Sequence, residues 1–437
     1  MVYNRLTDFQ NTEIGTLPLN WTYATIKEVG GSNAVLTGPF GSLLHSRDYS
    51  DHGTPLLLVN SFEHGKLTGK EIPKVADEKA AELKKYWLKE GDIVFSRVGE
   101  VGRTLYVDQT MVNWMFSGQT LRIRIENKNI FNRFVELYLR TPSAKKYSEA
   151  TSLGTTRPSI NTEILSNRII PIPPLQQQQA IAKILSDLDS KIELNQQMNK
   201  TLESIAQAIF KHWFIDFEFP DENGQPYKSS GGEMVDSELG EIPKGWKVDS
   251  IKELFEFQKG IEPGSKNYVK SKGDSYLPFY RVHDIANYGN RPDTYIDRKL
   301  VKDKIFRKED ILVSLDGTIG RVYFGGAGSY STGIRKVISR KPFLGNELIF
   351  TYLKSDNFQN SLTLFSKNET TIKHAGKAID NLLFSYDEPI CTKFSDLTKN
   401  ILINLLNNVN QILTLSEIRD ILLPKLMTGK IRVPLEE

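Results

Sequence analysis

An internal repeat is the feature that most constrains the fold of this chain. Residues 91–103 are "GDIVFSRVGEVGR" and residues 309–321 are "EDILVSLDGTIGR", so both place Asp-Ile, a hydrophobic pair, Ser, Gly and Gly-Arg at the same spacing. Upstream, "IGTLPLNWTYATIKEV" (14–29) aligns with "LGEIPKGWKVDSIKEL" (239–254) through shared Gly, Pro, Trp and Ile-Lys-Glu. The 437 residues therefore contain a tandem duplication of a unit much longer than a solenoid repeat, in a chain with room for two or three domains.

Short hydrophobic runs within each copy predict β-strands. "PLLLVN", "DIVFSR" and "TLRIRI" in the first copy, and "DILVSL" and "RVYFGG" in the second, are rich in Val, Ile, Leu and Phe. Gly, Asp and Asn bound these runs, as is typical of strands. Helical stretches such as "NRFVELYLR" follow them. The pattern predicts an α+β (mixed α/β) fold for each of two tandem domains, related by a pseudo-two-fold internal repeat.

A long helix is predicted after the first copy. "PIPPLQQQQAIAKILSDLDSKIELNQQMNKTLESIAQAIFKHWF" (171–214) begins with prolines, which suit the first turn of a helix, and then continues without Pro or Gly. Its hydrophobic residues recur every 3.5 residues on average, which is the seam of a coiled coil. The seam residues are Ile181, Leu185, Leu188, Ile192, Asn195, Asn199, Leu202, Ala206 and Ile209.

The C-terminal segment carries a matching seam. A shift of 213 positions places Asn408 on Asn195, and it places the other seam residues on the same frame. They are Phe394, Thr398, Ile401, Leu405, Ile412, Leu415 and Leu422. We expect the two helices to pair antiparallel, with a globular domain at each end. The alternative is two unrelated amphipathic helices, each packed on its own domain.

These features predict five segments. Residues 1–172 form the first globular domain, 173–215 the central long helix, and 216–238 a linker rich in Gly, Ser and acidic residues. Residues 239–386 form the second globular domain, and 387–437 the C-terminal helix that pairs with the central one.

Apolar side chains off the seam of the central helix exceed what one partner helix can cover. Either the globular domains fold over them, or helices of another protein dock there. These side chains are Ile184, Met198, Ile205, Phe210, Trp213 and Phe214.

Charge is distributed unevenly along the chain. Residues 1–172 hold 21 Lys/Arg against 18 Asp/Glu, and residues 239–386 hold 24 against 17, giving +3 and +7. The remaining segments hold 11 against 18, giving −7. Basic globular regions on acidic connectors favour an anionic partner that binds the globular parts. An ordinary solvated surface explains the same mild excess.

Motifs of catalysis are missing from the sequence. There is no phosphate-binding Gly-x-x-x-x-Gly-Lys-Ser/Thr, no histidine pair at metal-ligand spacing, and no Gly-x-Ser-x-Gly. "PDTYIDRK" (292–299) matches a Pro-Asp…Asp-x-Lys nuclease pattern, although its two acids are unusually close together. The lone cysteine, Cys391, excludes a disulfide framework, and no 18 apolar residues run together, so we expect a cytoplasmic protein without a membrane anchor.

Several motifs together resemble the specificity subunit of type I restriction-modification systems. "TGPFGSLLHSRDY" (37–49) and "LKEGDIVFSRVGEVGR" (88–103) are similar to phrases of its target recognition domains. Residues 170–214 resemble the central conserved region, "GEIPKGW" (240–246) the start of the second recognition domain, and "EIRDILLPKLMTGKI" (417–431) the C-terminal conserved region. The similarity is weaker through residues 255–345.

The resemblance implies that DNA recognition and catalysis lie in different subunits of one complex. Each recognition domain would bind one half of a bipartite, asymmetric site in double-stranded DNA. The two long helices would set the spacing of the half-sites and dock two methyltransferase (modification) subunits, which restriction subunits join in the full complex. S-adenosylmethionine, ATP and Mg would belong to those partners, so we expect no cofactor, metal or catalytic residue in this chain.

Polar residues in loops after the repeated elements are the candidates for DNA contact, because Arg and Lys bond guanine edges and Gln bonds adenine edges. They are Arg97, Arg103, Gln119, Thr155, Thr156 and Arg157 in the first domain, and Arg321, Thr371, Lys373 and His374 in the second. Two other functions stay open at this point. One is a non-enzymatic scaffold whose two domains bind proteins or glycans, and the other is a stand-alone metal-dependent nuclease that uses Asp297.

Overall fold

Two compact units make up the chain in the computed structural model. The structure describes residues 9–63, 65–154, 158–270, 273–288, 291–366, 379 and 382–434. Unit 1 comprises Met1–Asp189 and Ile418–Glu437, and unit 2 comprises Ser190–Glu417. Each unit therefore contains one globular part and one end of each of two long helices, and each is described separately below.

Unit 1 is a mixed α/β unit. Its strands are β1 (Phe9–Thr12), β2 (Gly15–Pro18), β3 (Thr22–Thr25), β4 (Val35–Thr37), β5 (Tyr49–Ser50), β6 (Thr54–Leu57), β7 (Phe62–Glu63), β8 (Lys66–Leu67), β9 (Lys74–Val75), β10 (Ile93–Ser96), β11 (Thr104–Tyr106), β12 (Met115–Phe116), β13 (Thr120–Ile123) and β14 (Ile169–Ile172). Its short helices are α1 (Ile26–Gly30), α2 (Asp77–Glu82), α3 (Asn132–Leu139), α4 (Pro142–Ala150) and α5 (Thr162–Ser166). One sheet has the antiparallel order β11-β10-β13-β4, and a second has the order β12-β6-β9-β5 with β12 parallel to β6.

Local chemistry explains several of these boundaries. Thr25 and Glu28 form a capping box at the start of α1. The Thr25 hydroxyl accepts the backbone N–H of Glu28, and the Glu28 carboxylate accepts the backbone N–H of Thr25. Thr141 caps α4, whose first residue is Pro142. All four residues of β10 are buried because this strand lies at the centre of its sheet.

The long helices are α6 (Leu175–Phe210) and, much later in the chain, α11 (Glu388–Met427). α6 ends in a π-helical turn, Lys211–Ile215.

Unit 2 repeats this plan. Its strands are β15 (Met234–Ser237), β16 (Gly240–Pro243), β17 (Lys247–Ser250), β18 (Phe255–Lys259), β19 (Tyr276–Tyr280), β20 (Tyr295–Asp297), β21 (Ile305–Phe306), β22 (Ile311–Ser314), β23 (Val322–Tyr323), β24 (Gly328–Tyr330), β25 (Ile334–Ser339) and β26 (Leu383–Tyr386). Its short helices are α7 (Ile251–Leu254), α8 (Arg298–Val301), α9 (Asn346–Lys354) and α10 (Asp356–Ser366).

Most strands of unit 1 have a counterpart in unit 2; the exceptions are the hairpin β7–β8 and the strands β5 and β21, which pair with different neighbours in their sheets. The order β23-β22-β25-β18 in unit 2 matches β11-β10-β13-β4 in unit 1, and the parallel pair β19–β24 matches β6–β12. The hairpin β15–β16 matches β1–β2, and the pair β17–β26 matches β3–β14. The predicted mixed α/β fold with an internal repeat is confirmed.

Within each unit the two long helices run antiparallel. In unit 1, Ile181 and Leu185 of α6 share a core with Leu423, Leu426 and Met427 of α11. In unit 2, Phe210 near the end of α6 packs edge-on against Phe394 near the start of α11, with ring centroids 6.0 Å apart. The prediction of an antiparallel helix pair is confirmed.

Most residues of the predicted seam are buried. The buried ones are Ile181, Leu185, Ile192, Asn195, Asn199, Ala206, Phe394, Thr398, Leu405, Asn408 and Ile412. Those that are half-buried are Leu188, Leu202, Ile209, Ile401, Leu415 and Leu422.

Much of the segment 216–238, which the sequence predicts to be a linker, packs within unit 2. Phe219 is buried and stacks on Trp246 at 5.3 Å and on Tyr227 at 4.7 Å between ring centroids. Further along, β15 pairs with β16. The prediction weighed the Gly, Ser and acidic content and overlooked the aromatic residues that anchor the segment to unit 2.

Three of the residues predicted to dock a partner are unavailable to it. Phe210, Trp213 and Phe214 are 2%, 8% and 3% exposed and belong to the core of unit 2. Phe214 contacts the rings of Trp246 and Phe384. The sequence left open whether the globular domains or helices of another protein cover these side chains. For Phe210, Trp213 and Phe214, the globular part of unit 2 covers them.

Candidate functional site

The repeated phrase forms a tight turn after a central strand. In unit 1 the hydroxyl of Ser96 donates to the carbonyl of Glu100 at 2.7 Å and accepts the backbone N–H of Arg103 at 2.8 Å. Gly99 and Gly102 adopt φ values of 76° and 95°, a region that favours glycine. Ser96 itself is fully buried. The phrase is therefore a structural element that returns the chain from β10 to β11.

Unit 2 builds the same turn from the second copy. Ser314 donates to the carbonyl of Thr318 at 2.6 Å and accepts the N–H of Arg321 at 2.9 Å. Gly317 and Gly320 have φ values of 74° and 81°. The spacing of Ser, Gly and Gly-Arg is repeated because both turns need the same hydroxyl bridge and the same two left-handed residues.

The arginines that end the two phrases hold the turns in place. Arg103 forms ion pairs with Glu100 and Glu63, and hydrogen bonding to Arg103 lowers the pKa of Glu100 below its usual value. Arg321 donates to the carbonyl of Val282 at 2.7 Å. Glu63 follows β6 and Val282 follows β19, and these are the strands that pair in parallel with β12 and β24. Contact of Arg103 or Arg321 with DNA stays a prediction, and both guanidinium groups already bond protein atoms.

In unit 1, the ends of three strands meet at one edge of the sheet. The N–H of Gly38, just after β4, donates to the carbonyl of Thr120 at the start of β13. Just after β10, the N–H of Arg97 donates to the carbonyl of Gln119, and its carbonyl accepts the N–H of Ile160. We call this the unit 1 edge: residues 38–49, 97–103, 116–120, 151–154 and 158–160.

Arg97 and Gln119, two of the residues predicted to contact DNA, both lie at this edge, and their contact with DNA stays a prediction. The Arg97 guanidinium donates to the carbonyls of Ile160 at 3.2 Å and Gly118 at 3.3 Å, so it ties the loops together. Gln119 is exposed. Thr155, Thr156 and Arg157 fall outside the described residues. Their flanking residues Leu153 and Ser159 form a β-bridge, and Ser159 also bridges to Val98.

The corresponding edge of unit 2 has the same backbone and different side chains. The N–H of Gly260, after β18, donates to the carbonyl of Ile334, and the N–H of Leu315, after β22, donates to the carbonyl of Gly333. Arg335 pairs with Asp316 across this edge at 3.5 Å. Thr371, Lys373 and His374 fall outside the described residues. The two edges share their backbone hydrogen bonds and differ in their loop side chains. This arrangement suits the binding of two different ligands that belong to the same chemical class.

Sequence reasoning missed a basic segment in unit 2. Residues 298–308 hold six Lys or Arg and one acid, Asp303. Lys304 pairs with Asp303 at 3.0 Å. The other basic residues, Arg298, Lys299, Lys302, Arg307 and Lys308, are exposed. The local charge run was visible in the sequence, and it gives unit 2 a surface that attracts polyanions.

The carboxylates of the nuclease-like motif have structural roles. Asp297 caps α8 by accepting the N–H of Lys299 at 2.8 Å. Asp293 accepts hydrogen bonds from Thr294 and Lys270, and the bond from Lys270 is the largest cause of its lowered pKa. Across the described ranges, no group of three or more His, Cys, Asp or Glu side chains could hold a metal ion. None of the helices described has the length and apolar character needed to cross a bilayer.

Some apolar side chains on the long helices remain open to solvent. Of the residues predicted to dock a partner, Met198 is 42% exposed and Ile205 is 44% exposed, whereas Ile184 is half-buried against the core of unit 1. Leu194, one turn before Met198, is 48% exposed. In unit 2, α6 therefore presents an apolar stripe formed by Leu194, Met198 and Ile205, which lie close to one face at helical spacing.

Comparisons with known proteins find one family throughout the chain. Residues 18–204 and 243–385 match the model of the Type I restriction modification DNA specificity domain. The type I restriction enzyme MjaIX specificity subunit of Methanocaldococcus jannaschii is 25% identical, over 98% of this chain and 97% of that protein. The type I restriction enzyme HindI specificity subunit of Haemophilus influenzae is 27% identical, over 86% of this chain and 92% of that protein.

A solved structure shares the fold. The crystal structure of the type-I restriction-modification system S subunit from M. genitalium has a TM-score of 0.53 and 16% sequence identity. The alignment covers 93% of this chain and 96% of that one.

Proposed function

The chain belongs to the Type I restriction modification DNA specificity domain family, and on this premise we propose that it is the DNA-recognition subunit of a type I restriction-modification complex. The internal repeat is the observation that carries the proposal. Units 1 and 2 hold the same strand ends in the same hydrogen-bonded frame, with different loops around them. Reading two unlike halves of a bipartite, asymmetric DNA site calls for such a duplication.

Charge supports duplex DNA as the ligand of both units. The globular parts carry the positive excess, and the basic segment 298–308 concentrates part of it in unit 2. Lys and Arg on such a surface neutralise phosphates and release counterions, which supplies affinity independent of sequence. Base-specific contacts then come from loop side chains at the two edges, Gln119 among them.

The apolar stripe of Leu194, Met198 and Ile205 supports a second role for α6. We expect methyltransferase subunits, two per complex, to dock on the exposed faces of the long helices, where burial of these side chains stabilises the assembly. Restriction subunits join that core. Catalysis, together with S-adenosylmethionine, ATP and Mg, belongs to those partners, and the complex works in the cytoplasm, where chromosomal DNA lies.

Mapping of N6-methyladenine across the host genome, with and without this gene, tests the proposal. Loss of methylation at one bipartite motif, two short defined halves around a fixed gap, is the expected result. The motif found in this way is also the recognition sequence. An unchanged methylome in cells that express the methyltransferase partner would refute the proposal and favour a scaffold that binds proteins or glycans.

A further inference from the structure

The loop 38–49 at the unit 1 edge presents an aromatic ring to solvent. Phe40 is 62% exposed, more than any other large hydrophobic residue in the described part of unit 1. Among the phenylalanines whose side chains are described, it alone is exposed. Aromatic side chains carry a large apolar area, so a ring held in water at a loop tip marks a surface that another molecule covers.

Glycines lie next to Phe40 in the chain and across the sheet edge. Gly38 packs so closely on the end of β12 that a Cβ there would collide with the carbonyl oxygen of Ser117. Gly118 lies against Phe40, because a Cβ on Gly118 would be 2.5 Å from the Cβ of Phe40. Gly41, which follows the ring, has a φ of 59°. The loop backbone is therefore seated on the sheet edge while the ring projects from it.

The surroundings of Phe40 are those of the DNA-reading edge. Gln119, whose side chain is exposed, follows Gly118 in the chain. The Arg97 guanidinium donates a hydrogen bond to the carbonyl of Gly118 at 3.3 Å. His45 and Arg47 on the same loop are exposed and can contact phosphates. An exposed apolar ring next to the Gly118–Gln119 segment matches the way in which DNA-bending proteins insert Phe, Leu or Ile between base steps.

Unit 2 has the same frame without the ring. Gly260 corresponds to Gly38, since each donates its N–H to the third strand of its sheet at 3.3 Å and each would collide with a carbonyl oxygen if it carried a Cβ. Between Gly260 and Gly264 the chain reads Ile-Glu-Pro, with no aromatic residue. If the fold of this loop required an aromatic residue, one would follow Gly260 as Phe40 follows Gly38. We therefore assign the Phe40 ring to contact with the ligand of unit 1.

We propose that Phe40 is a wedge that inserts between two base pairs at the half-site bound by unit 1, unstacking that step, and that unit 2 binds its half-site without such a wedge. The inference rests on the proposed function and adds to it a residue that acts through deformation of DNA. A side chain that senses how easily a base step opens contributes to sequence preference without a hydrogen bond to any base.

The test uses the complex of the full chain with its methyltransferase and duplexes that carry the mapped bipartite motif. 2-Aminopurine replaces one base at a time in and beside each half-site, because its fluorescence rises when it loses its stacking partner. We compare the wild type with Phe40→Ala, Phe40→Trp and Leu19→Ala. Leu19 is an apolar residue of unit 1 with a similar exposure, 58%, in the turn between β2 and β3, and so controls for loss of exposed apolar surface.

With the wild type, we expect a rise in fluorescence at one step of one half-site only. Phe40→Ala should abolish the rise and weaken affinity on the order of 10- to 100-fold, as loss of one aromatic–base stack does. The slope of affinity against salt should not change, since no charge is removed. Phe40→Trp should retain both the signal and the affinity, and Leu19→Ala should behave as wild type.

Wild-type affinity of Phe40→Ala, or an unchanged rise in fluorescence, would overturn the wedge. So would a loss of methyltransferase association by Phe40→Ala with the DNA signal intact, because the ring would then be a protein contact. Failure of the wild-type complex to bind the mapped duplex would instead count against the proposed function itself, so the two failures are distinguishable.

Discussion

The side-chain amide of Asn408 donates a 2.9 Å hydrogen bond to the amide oxygen of Asn199, inside the seam between α6 and α11 in unit 2. The two residues are 6% and 2% exposed. In the neighbouring layer Asn195 donates to Gln411 at 3.1 Å. These bonds form only at one alignment of the antiparallel helices, so the polar layers specify register at some cost in stability.

Replacing either Asn199 or Asn408 alone should therefore lower the free energy of unfolding more than replacing both together. We expect Asn408→Leu to lower the free energy of unfolding by roughly 1–3 kcal/mol, because the amide of Asn199 is left buried without its partner. The double variant Asn199→Leu/Asn408→Leu should recover most of that loss or exceed wild-type stability. Urea unfolding, followed by tryptophan fluorescence, measures this double-mutant cycle. A double variant as unstable as the sum of the two single ones would show that the pair does not interact.

Asp189 is the centre of an ion cluster in unit 1. It accepts hydrogen bonds from Arg140 at 2.9 Å and from Arg419 of α11 at 3.1 Å, and its backbone carbonyl accepts one from Lys66. Its side chain is 3% exposed. Burial alone would raise the pKa of Asp189, but the attraction of Arg140 and Arg419 outweighs burial and leaves the pKa below its ordinary value.

This shift predicts how the stability of unit 1 depends on pH. Because the pKa is lower in the folded chain than in the unfolded chain, the stabilisation is present above the unfolded value of about 3.9 and is lost as pH falls through the folded value. Asp189→Asn should cost roughly 1–3 kcal/mol at neutral pH, because the hydrogen bonds from Arg140 and Arg419 lose a charged acceptor, while Arg140 keeps Glu136, at 3.9 Å, as a counter-ion. The difference between variant and wild type should shrink on acidification. Thermal unfolding at several pH values measures both effects.

Asp187→Asn is the matched control for this prediction. Asp187 lies on the same helix and pairs with Lys183, but both side chains are more than half exposed. An exposed pair of this kind contributes little, so the control should unfold like the wild type at every pH. Equal effects of the two substitutions would contradict a special role of the buried cluster.

The regular parts of this molecule were predictable from the sequence, and the reasons are local. The 3.5-residue period that runs from Ile181 to Ile209 identifies the seam, including the buried Asn195 and Asn199, since only one face of each helix can meet a partner helix. The shared Ser, Gly and Gly-Arg spacing likewise indicates one turn built twice. Both inferences depend on neighbours within a few residues along the chain.

The parts that depend on distant neighbours were not predictable. Phe210, Trp213 and Phe214 are apolar whether a partner protein or the rest of unit 2 covers them, and only the tertiary contacts with Trp246 and Phe384 decide. Arg97 could equally bond DNA or its own loops until the carbonyls of Gly118 and Ile160 were seen beside it. Base-reading residues are harder still, because loops at the two edges diverge while their frame is kept.

Ser96 and Ser314 should contribute equally to the stability of their turns. Each hydroxyl joins two backbone groups and is fully buried. We expect Ser96→Ala and Ser314→Ala each to cost about 1–3 kcal/mol, because one backbone N–H and one backbone carbonyl in each turn lose their hydrogen-bond partner. The two losses should add, since the sites share no partners. Chemical denaturation of the single and double variants measures them, and a negligible loss at either serine would refute the structural reading of the repeated phrase.

The exposed cations of residues 298–308 should determine part of the salt dependence of DNA binding. Each phosphate contact adds roughly 0.9 to the slope of log affinity against log salt. A variant with Arg298, Lys299 and Lys308 changed to Gln should therefore lose up to about 2.7 in slope. Its preference for the mapped motif over a scrambled duplex should stay the same, because phosphate contacts carry no sequence information. Titration of a fluorescent duplex at several salt concentrations measures slope and preference together.

The control for this last experiment removes the same charge elsewhere. Lys27, Lys128 and Lys252 are exposed and lie outside the basic segment and the unit 1 edge. Lys27 is in α1, Lys128 lies between β13 and α3, and Lys252 is in α7. Changing these three lysines to Gln alters the net charge by the same amount, so it isolates position from total charge. A slope that falls equally in both variants would show that the segment acts only through net charge, and an unchanged slope in the first variant would show that it does not contact DNA.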